Sequence, residues 1–158
     1  MARIGLVLRE GIVFGLIAGA FALLVRLVSV FATNDVMPSI FSDFVTSAIG
    51  LLIIGGAGRK LAASTREIGP ALPMGALAGG ISELFRAVVA ALILSYLPIG
   101  QTAFNRLSPL EQQKASDVGN LILTLGLDLA LAMAFGALIG WLGAWSLIRF
   151  RPPREPES

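Results

Sequence analysis

Residues 74–88, MGALAGGISELFRAV, combine the apolar composition of a membrane span with two charged side chains, Glu83 and Arg86. A charged side chain at bilayer depth costs at least about 2.5 kcal/mol, so its presence there needs a structural or functional reason. Residues 14–28, FGLIAGAFALLVRLV, resemble this stretch at an offset of sixty residues, with six identities that include Arg26 and Arg86. The two stretches therefore predict two spanning helices of similar character.

The composition of the whole chain supports a membrane protein. It has 158 residues, of which 56% are hydrophobic and 14% charged, and its mean hydropathy is +0.84. Soluble domains carry about 25% charged residues, so this chain falls well short of them. Its apolar runs are long and unbroken, which is typical of helices rather than of barrel strands. We expect an all-α, polytopic membrane protein.

Four apolar stretches are long enough to cross a bilayer, because about 20 residues at about 1.5 Å each span its hydrocarbon core. They cover residues 11–31, 39–58, 71–97 and 118–148, within a few residues at each end. We expect one four-helix transmembrane domain over residues 1–150, followed by a disordered cytoplasmic tail over 151–158. If the match of spans one and three reflects duplication, the bundle is a 2+2 parallel internal repeat. Spans two and four match each other poorly.

The loop before span four contains a helix-start signal. Ser108, Pro109 and Glu111 have the spacing of a capping box with proline at the first helical position. This predicts a short surface helix that leads into span four.

The lysines and arginines between the spans are distributed unequally. Eight lie on one side, namely Arg3, Arg9, Arg59, Lys60, Arg66, Arg149, Arg151 and Arg154, and two on the other, Arg106 and Lys114. Basic residues concentrate in cytoplasmic loops, so we expect both termini in the cytoplasm of a bacterial plasma membrane. Trp141 and Trp145 are expected to lie near that interface. This placement explains the pI of 9.7 without nucleic-acid binding.

Small residues form stripes along the predicted spans. On a helical wheel Arg26 shares a face with the stripe of span one, and Arg86 with that of span three. The expected packing glycines are Gly11, Gly15, Gly19, Gly75, Gly79 and Gly136. Small residues allow helix backbones to approach closely in lipid, so these faces should point into the bundle.

Charged residues inside the spans form the candidate site. The expected network is Arg26, Asp43, Glu83, Arg86 and Asp128. Depth along the spans pairs Arg26 with Asp43, and Arg86 with either Asp128 or Glu83. One carboxylate, Glu83 or Asp128, then lacks a full partner. Structural ion pairs, snorkelling arginines and an ion pathway all remain open at this point.

Catalytic chemistry has no support in the sequence. The chain contains no Cys and no His, which removes thiolate and imidazole ligands and bases. We find no nucleophile–base pair, metal cluster or cofactor motif, and expect a protein that is not an enzyme and binds neither cofactor nor metal. The expected role is an accessory or scaffold subunit of a membrane assembly, with lipid and other membrane subunits or a second copy as partners. The alternative is a small proton- or ion-coupled transporter or channel that uses Glu83, Arg86 and Asp128.

Overall fold

The computed structural model describes residues 2–33, 40–96, 98–106 and 108–149. These residues are almost entirely α-helical and include no strand. Within them the helices are α1 (Ala2–Thr33), α2 (Ile40–Thr65), α3 (Ala71–Tyr96), α4 (Pro98–Arg106), α5 (Pro109–Ser116) and α6 (Val118–Arg149). The helices α1, α2, α3 and α6 are long and apolar enough to cross a membrane. The predicted all-α architecture with four membrane-spanning helices is thus confirmed.

Two spanning helices are longer than the sequence pattern predicted. α1 begins at Ala2 rather than near residue 11, and α2 continues to Thr65 rather than ending near residue 58. Charged residues lie at these places, but Arg9 and Lys60 pair with the buried Glu10 from exposed positions, and the helices continue through them. The α2–α3 linker is consequently only residues 66–70. Residues 34–39, between α1 and α2, and the predicted tail at 151–158 lie outside the described residues.

The helix α5 starts as the sequence predicted. The Ser108 side chain accepts a hydrogen bond from the Glu111 backbone N–H, and the Glu111 carboxylate accepts one from the Ser108 backbone N–H. This capping box satisfies two donors that a helix start leaves unpaired. The preceding helix α4 was not predicted, because the sequence analysis assigned residues 98–106 to the loop between spans three and four.

The four spanning helices form a ring in the order α1, α2, α6, α3. α3 packs most extensively against α6 and α1, whereas α2 packs against α6 and α1 and makes a smaller contact with α3 across the centre. The alternating helix directions place Ala2 and Arg149 at one end, here called the termini end, and α4 and α5 at the other, the loop end. α1 and α3 are direct neighbours and do not face each other across an axis, so the parallel repeat stays a prediction.

The apolar core lies in the termini half of the bundle. Its main cluster consists of Ile54, Ala57, Leu61, Met74 and Ala78, and a second cluster consists of Ala62, Ala71 and Ala144. Most of these side chains are small, which brings the helix backbones together. The termini half is therefore closely packed.

A seam of small residues joins α3 to α6. A Cβ atom added to Gly75 would meet the backbone carbonyl of Gly136, and one added to Gly79 would meet the carbonyl of Ala132. At Gly140 the added atom would lie 2.7 Å from the Ala71 carbonyl oxygen. Backbone atoms cannot move aside as a flexible side chain can, so only glycine fits these positions.

The glycine stripe of α1 lies against α3. A Cβ atom added to Gly15 would lie 2.9 Å from the Ala78 carbonyl oxygen, while one at Gly11 would meet Leu77 and one at Gly19 would meet Phe85. A third seam, between α2 and α6, was missed from the sequence. It consists of Gly55, Gly58, Gly140 and Gly143. The glycine-rich run at residues 55–58 was the available signal for it.

Candidate functional site

The loop-end half of the bundle contains an open cavity of about 370 Å³ to which all four spanning helices contribute. Its polar lining consists of Thr46, Ser47, Ser82, Glu83 and Arg86. The rest is apolar or glycine, including Ile54 on α2 and Phe135 on α6. Gly79 and Gly136, which also line it, belong to the α3–α6 seam, so the tightly packed termini half forms the closed end of the cavity.

Glu83 and Arg86 form an ion pair on the cavity wall. The Arg86 Nη2 donates a hydrogen bond to Glu83 Oε1 at 2.9 Å, and the side chains are 14% and 48% exposed for Glu83 and Arg86 respectively. Side chains on a helix lean toward its N-terminus, which for α3 is the termini end. The guanidinium is therefore held toward the middle of α3 and does not extend to the nearer loop end, as a snorkelling arginine would.

Asp128 does not join this pair. It lies on α6 one turn before Ala132, which packs on α3, yet the Asp128 side chain is exposed. In the described part of the chain it makes no ion pair or hydrogen bond. Of the two partners expected for Arg86, the structure shows Glu83.

The reason lies in the path of α6. Its contacts with α3 extend to Leu129, which reaches the space beside Gly80. All residues from 118 to 128 are exposed, including Ile122 at 66% and Leu123 at 70%. The first three turns of α6 therefore lie apart from the other spanning helices, and Asp128 lies at the end of this separated segment.

The second expected pair, Arg26 with Asp43, involves a side chain outside the described ones. Arg26 is partly buried, lies one turn beyond the cavity residue Ala22 on α1, and is engaged in an interaction. Asp43 is the fourth residue of α2. The pairing stays a prediction.

A second charged cluster, which the sequence analysis missed, lies toward the termini end. The carboxylate of Glu10 accepts hydrogen bonds from Lys60 Nζ at 2.8 Å and from Arg9 Nη2 at 2.9 Å, and its side chain is 5% exposed. The Lys60 ammonium also lies 5.2 Å from the centroid of the Phe14 ring. An acid beside Gly11, at the start of a small-residue stripe, was the signal that could have indicated a buried position.

Aromatic residues lie near the termini end of α6. The rings of Trp141 and Trp145 are stacked with centroids 6.4 Å apart, and the Arg149 guanidinium lies 5.0 Å from the Trp145 ring centroid. Tryptophan rings favour the headgroup level of a bilayer. This arrangement is typical of an interfacial anchor.

Metal ligation finds no support in the geometry. Among the described residues, no three His, Cys, Asp or Glu side chains are close enough to hold a metal ion.

Comparisons with family models, with curated proteins and with solved structures find no match. The fold is compatible with a small integral membrane protein, a bundle with four helices long and apolar enough to span a membrane and an open cavity in one half.

Proposed function

We propose that this protein is a non-enzymatic accessory subunit of a bacterial membrane assembly, and that it associates laterally through the loop-end half of α6. One observation carries the proposal. The segment from 118 to 128 is largely apolar and exposed, and it ends at Asp128, whose carboxylate makes no ion pair with another described residue. A segment of a spanning helix in which every residue is exposed is a suitable surface for another helix.

The charge distinguishes a protein partner from lipid. Lipid tails can cover the leucines and isoleucines of this segment, but they leave Asp128 at a cost of about 2.5–3.5 kcal/mol. A partner helix with a lysine or arginine at the same depth removes that cost. Leu121 and Thr124 lie on the same face of α6 as Asp128, so one helix can cover all three.

The distribution of charge favours cytoplasmic termini. Arg9, Arg59, Lys60 and Arg149 all lie in the termini half, and the stacked tryptophans of α6 lie in the same half. Basic residues are retained on the cytoplasmic side of bacterial membranes. In this orientation the cavity opens toward the outer leaflet.

Site-specific photocrosslinking tests the association. The chain has no cysteine, so a single Leu127→Cys variant can carry a benzophenone label in native membranes. Val88→Cys on α3 is the matched control, because Leu127 and Val88 are both 58% exposed. We expect a discrete protein adduct from position 127, its loss on adding Asp128→Asn, and none from position 88. Equal adducts from both positions, or an adduct that persists without Asp128, would refute the proposal.

The transport alternative relies on the cavity. Its polar wall suits a ligand, but Asp128 lies apart from Glu83 and Arg86, and glycine seams close the cavity toward the termini end. A dead-end cavity favours binding over conduction. In an accessory subunit, Glu83→Gln should leave the adduct at position 127 unchanged, because Glu83 lies apart from the α6 segment that ends at Asp128.

A further inference from the structure

We infer that the cavity between the four spanning helices is a phospholipid-binding site, with the lipid phosphate on the Arg86 guanidinium and an acyl chain along the apolar wall. This inference concerns a different surface from the proposed α6 interface and does not depend on it. Its basis is the combination of one presented cation, neighbouring hydroxyl groups and apolar walls in a single open cavity.

Arg86 provides the phosphate contact. A guanidinium has five N–H donors in a planar fork that matches two phosphate oxygens. The hydrogen bond to Glu83 is donated by Nη2 of Arg86. The Arg86 side chain is 48% exposed, whereas that of Glu83 is only 14% exposed. A ligand in the cavity therefore meets the donor of the pair first, while Glu83 fixes the guanidinium in place.

Neighbouring groups fit the rest of an amphiphile. Ser47 and Ser82 add hydroxyl donors on the wall formed by α2 and α3. Leu51, Ile54 and Phe135 form an apolar surface next to them. The volume of about 370 Å³ lies within the range of about 300–1,000 Å³ typical of ligand sites. Inorganic phosphate alone would leave this apolar surface unused.

Access is from the side. The separated segment of α6 leaves the cavity open beside the lipid, whereas the seam at Gly75 and Gly136 closes the opposite end. Arg86 lies six residues before Leu92, where the described part of the candidate span ends, and this separation corresponds to about 9 Å. The bound headgroup is thus drawn below its usual level, a local thinning that bilayers accommodate at modest cost.

Thermal unfolding of the purified full-length chain in mild detergent separates the possible ligands. The probes are phosphatidylglycerol, diacylglycerol with the same acyl chains, and inorganic phosphate. We expect only phosphatidylglycerol to raise the unfolding midpoint at matched concentration, because it alone carries both the phosphate and the tails. A rise with diacylglycerol as large as with the phospholipid would overturn the role of Arg86. A full rise with inorganic phosphate would show a free-anion site and overturn the role of the tails.

A cavity-filling variant locates the bound lipid. Gly50 lines the cavity, and a Cβ atom added there meets nothing within 4 Å, so Gly50→Leu should fill the space without disturbing the helices. Gly5→Leu is the control, because Gly5 is exposed on α1 and also has open space around it. We expect Gly50→Leu to weaken phosphatidylglycerol binding by about tenfold or more and Gly5→Leu to leave it unchanged. Equal binding in both variants would show that the lipid is merely annular.

Substitution of the Glu83–Arg86 ion pair tests phosphatidylglycerol binding again, with a variant that adds no side-chain volume to the cavity. In Glu83→Gln/Arg86→Gln the site stays neutral overall, so no unpaired buried charge is left behind. We expect this variant to lose about tenfold or more in phosphatidylglycerol binding, measured also as phospholipid retained per protein by mass spectrometry. Arg106→Gln, an exposed arginine on α4, is the control. Full retention in the double variant would overturn the inference even if Gly50→Leu failed to fold.

Discussion

Lys60 Nζ lies 2.8 Å from Glu10 Oε2 and joins two helices across fifty residues of sequence. Glu10 is nearly fully buried, while Lys60 reaches it from an exposed position with its ammonium near the Phe14 ring. The contact holds α1 against α2 close to the apolar core, because a carboxylate at this depth requires a cation.

Removal of this contact should destabilise the bundle. Lys60→Met is expected to lower the free energy of unfolding by about 1–3 kcal/mol, since Arg9 remains as a second donor to Glu10. The double variant Glu10→Gln/Lys60→Met should lose less than the sum of the losses of the single variants Glu10→Gln and Lys60→Met. Arg59→Met, a neighbouring exposed cation, is the control and should change little. Thermal or denaturant unfolding in detergent measures all four variants, and strict additivity would contradict the contact.

The glycine seams predict a rank order of stability. Gly75→Ala places a methyl group against the Gly136 carbonyl and should cost about 1–3 kcal/mol. Gly19→Ala meets the Phe85 side chain at 3.0 Å or more, a milder overlap than that with the Gly136 carbonyl, and should cost less. Gly56→Ala has open space and should be neutral or slightly stabilising, because alanine favours helix. If the unfolding midpoints of the three variants do not differ, the seam is loosely packed.

The ion pair on the cavity wall predicts that Arg86 is energetically coupled to Glu83 and not to Asp128. A double-mutant cycle for Glu83→Gln and Arg86→Gln should give a coupling energy of about 1 kcal/mol, reduced from a fully buried pair by the exposure of Arg86. The same cycle for Arg86→Gln and Asp128→Asn should give a value near zero, because the structure keeps these two apart. A large coupling with Asp128 would mean that α6 closes onto α3 in the membrane.

Topology is tested with cysteines in the cysteine-free chain. Thr102→Cys on α4 and Ser158→Cys at the C-terminus should react with an impermeant thiol reagent from opposite sides of the membrane. With cytoplasmic termini, intact cells label position 102 only. Labelling of both positions in intact cells, with permeabilised cells as the reference, would contradict the proposed orientation.

The end of α2 predicts a stabilising substitution. Arg66 has a φ of 58°, in the left-handed region, while its N–H donates to the Ala62 carbonyl at 2.8 Å. A non-glycine residue is strained there by about 1 kcal/mol. Arg66→Gly should therefore raise the unfolding midpoint, and Arg66→Ala should not. Unfolding scans of the two variants distinguish this effect from a loss of charge.

The sequence by itself determined the elements that depend on local chemistry. Apolar length set the four spanning helices, and the spacing of Ser108 and Glu111 set the start of α5. Helical period also placed the glycines of α1 and α3 on inward faces, since every side chain on one face of a helix shares its environment. It further identified Glu83 as one possible partner of Arg86, because residues three apart on a helix are neighbours.

Only the tertiary structure decided which faces meet and where they separate. The contact of Lys60 with Glu10, the α2–α6 seam, and the choice of Glu83 rather than Asp128 all depend on the ring order and crossing of the helices. The period of α6 places Asp128 and Ala132 on one side, but the helix leaves α3 between them, and no local pattern encodes that departure. The cavity follows from it, because backbone-to-backbone contact at the glycines closes one half of the bundle while the other half stays open.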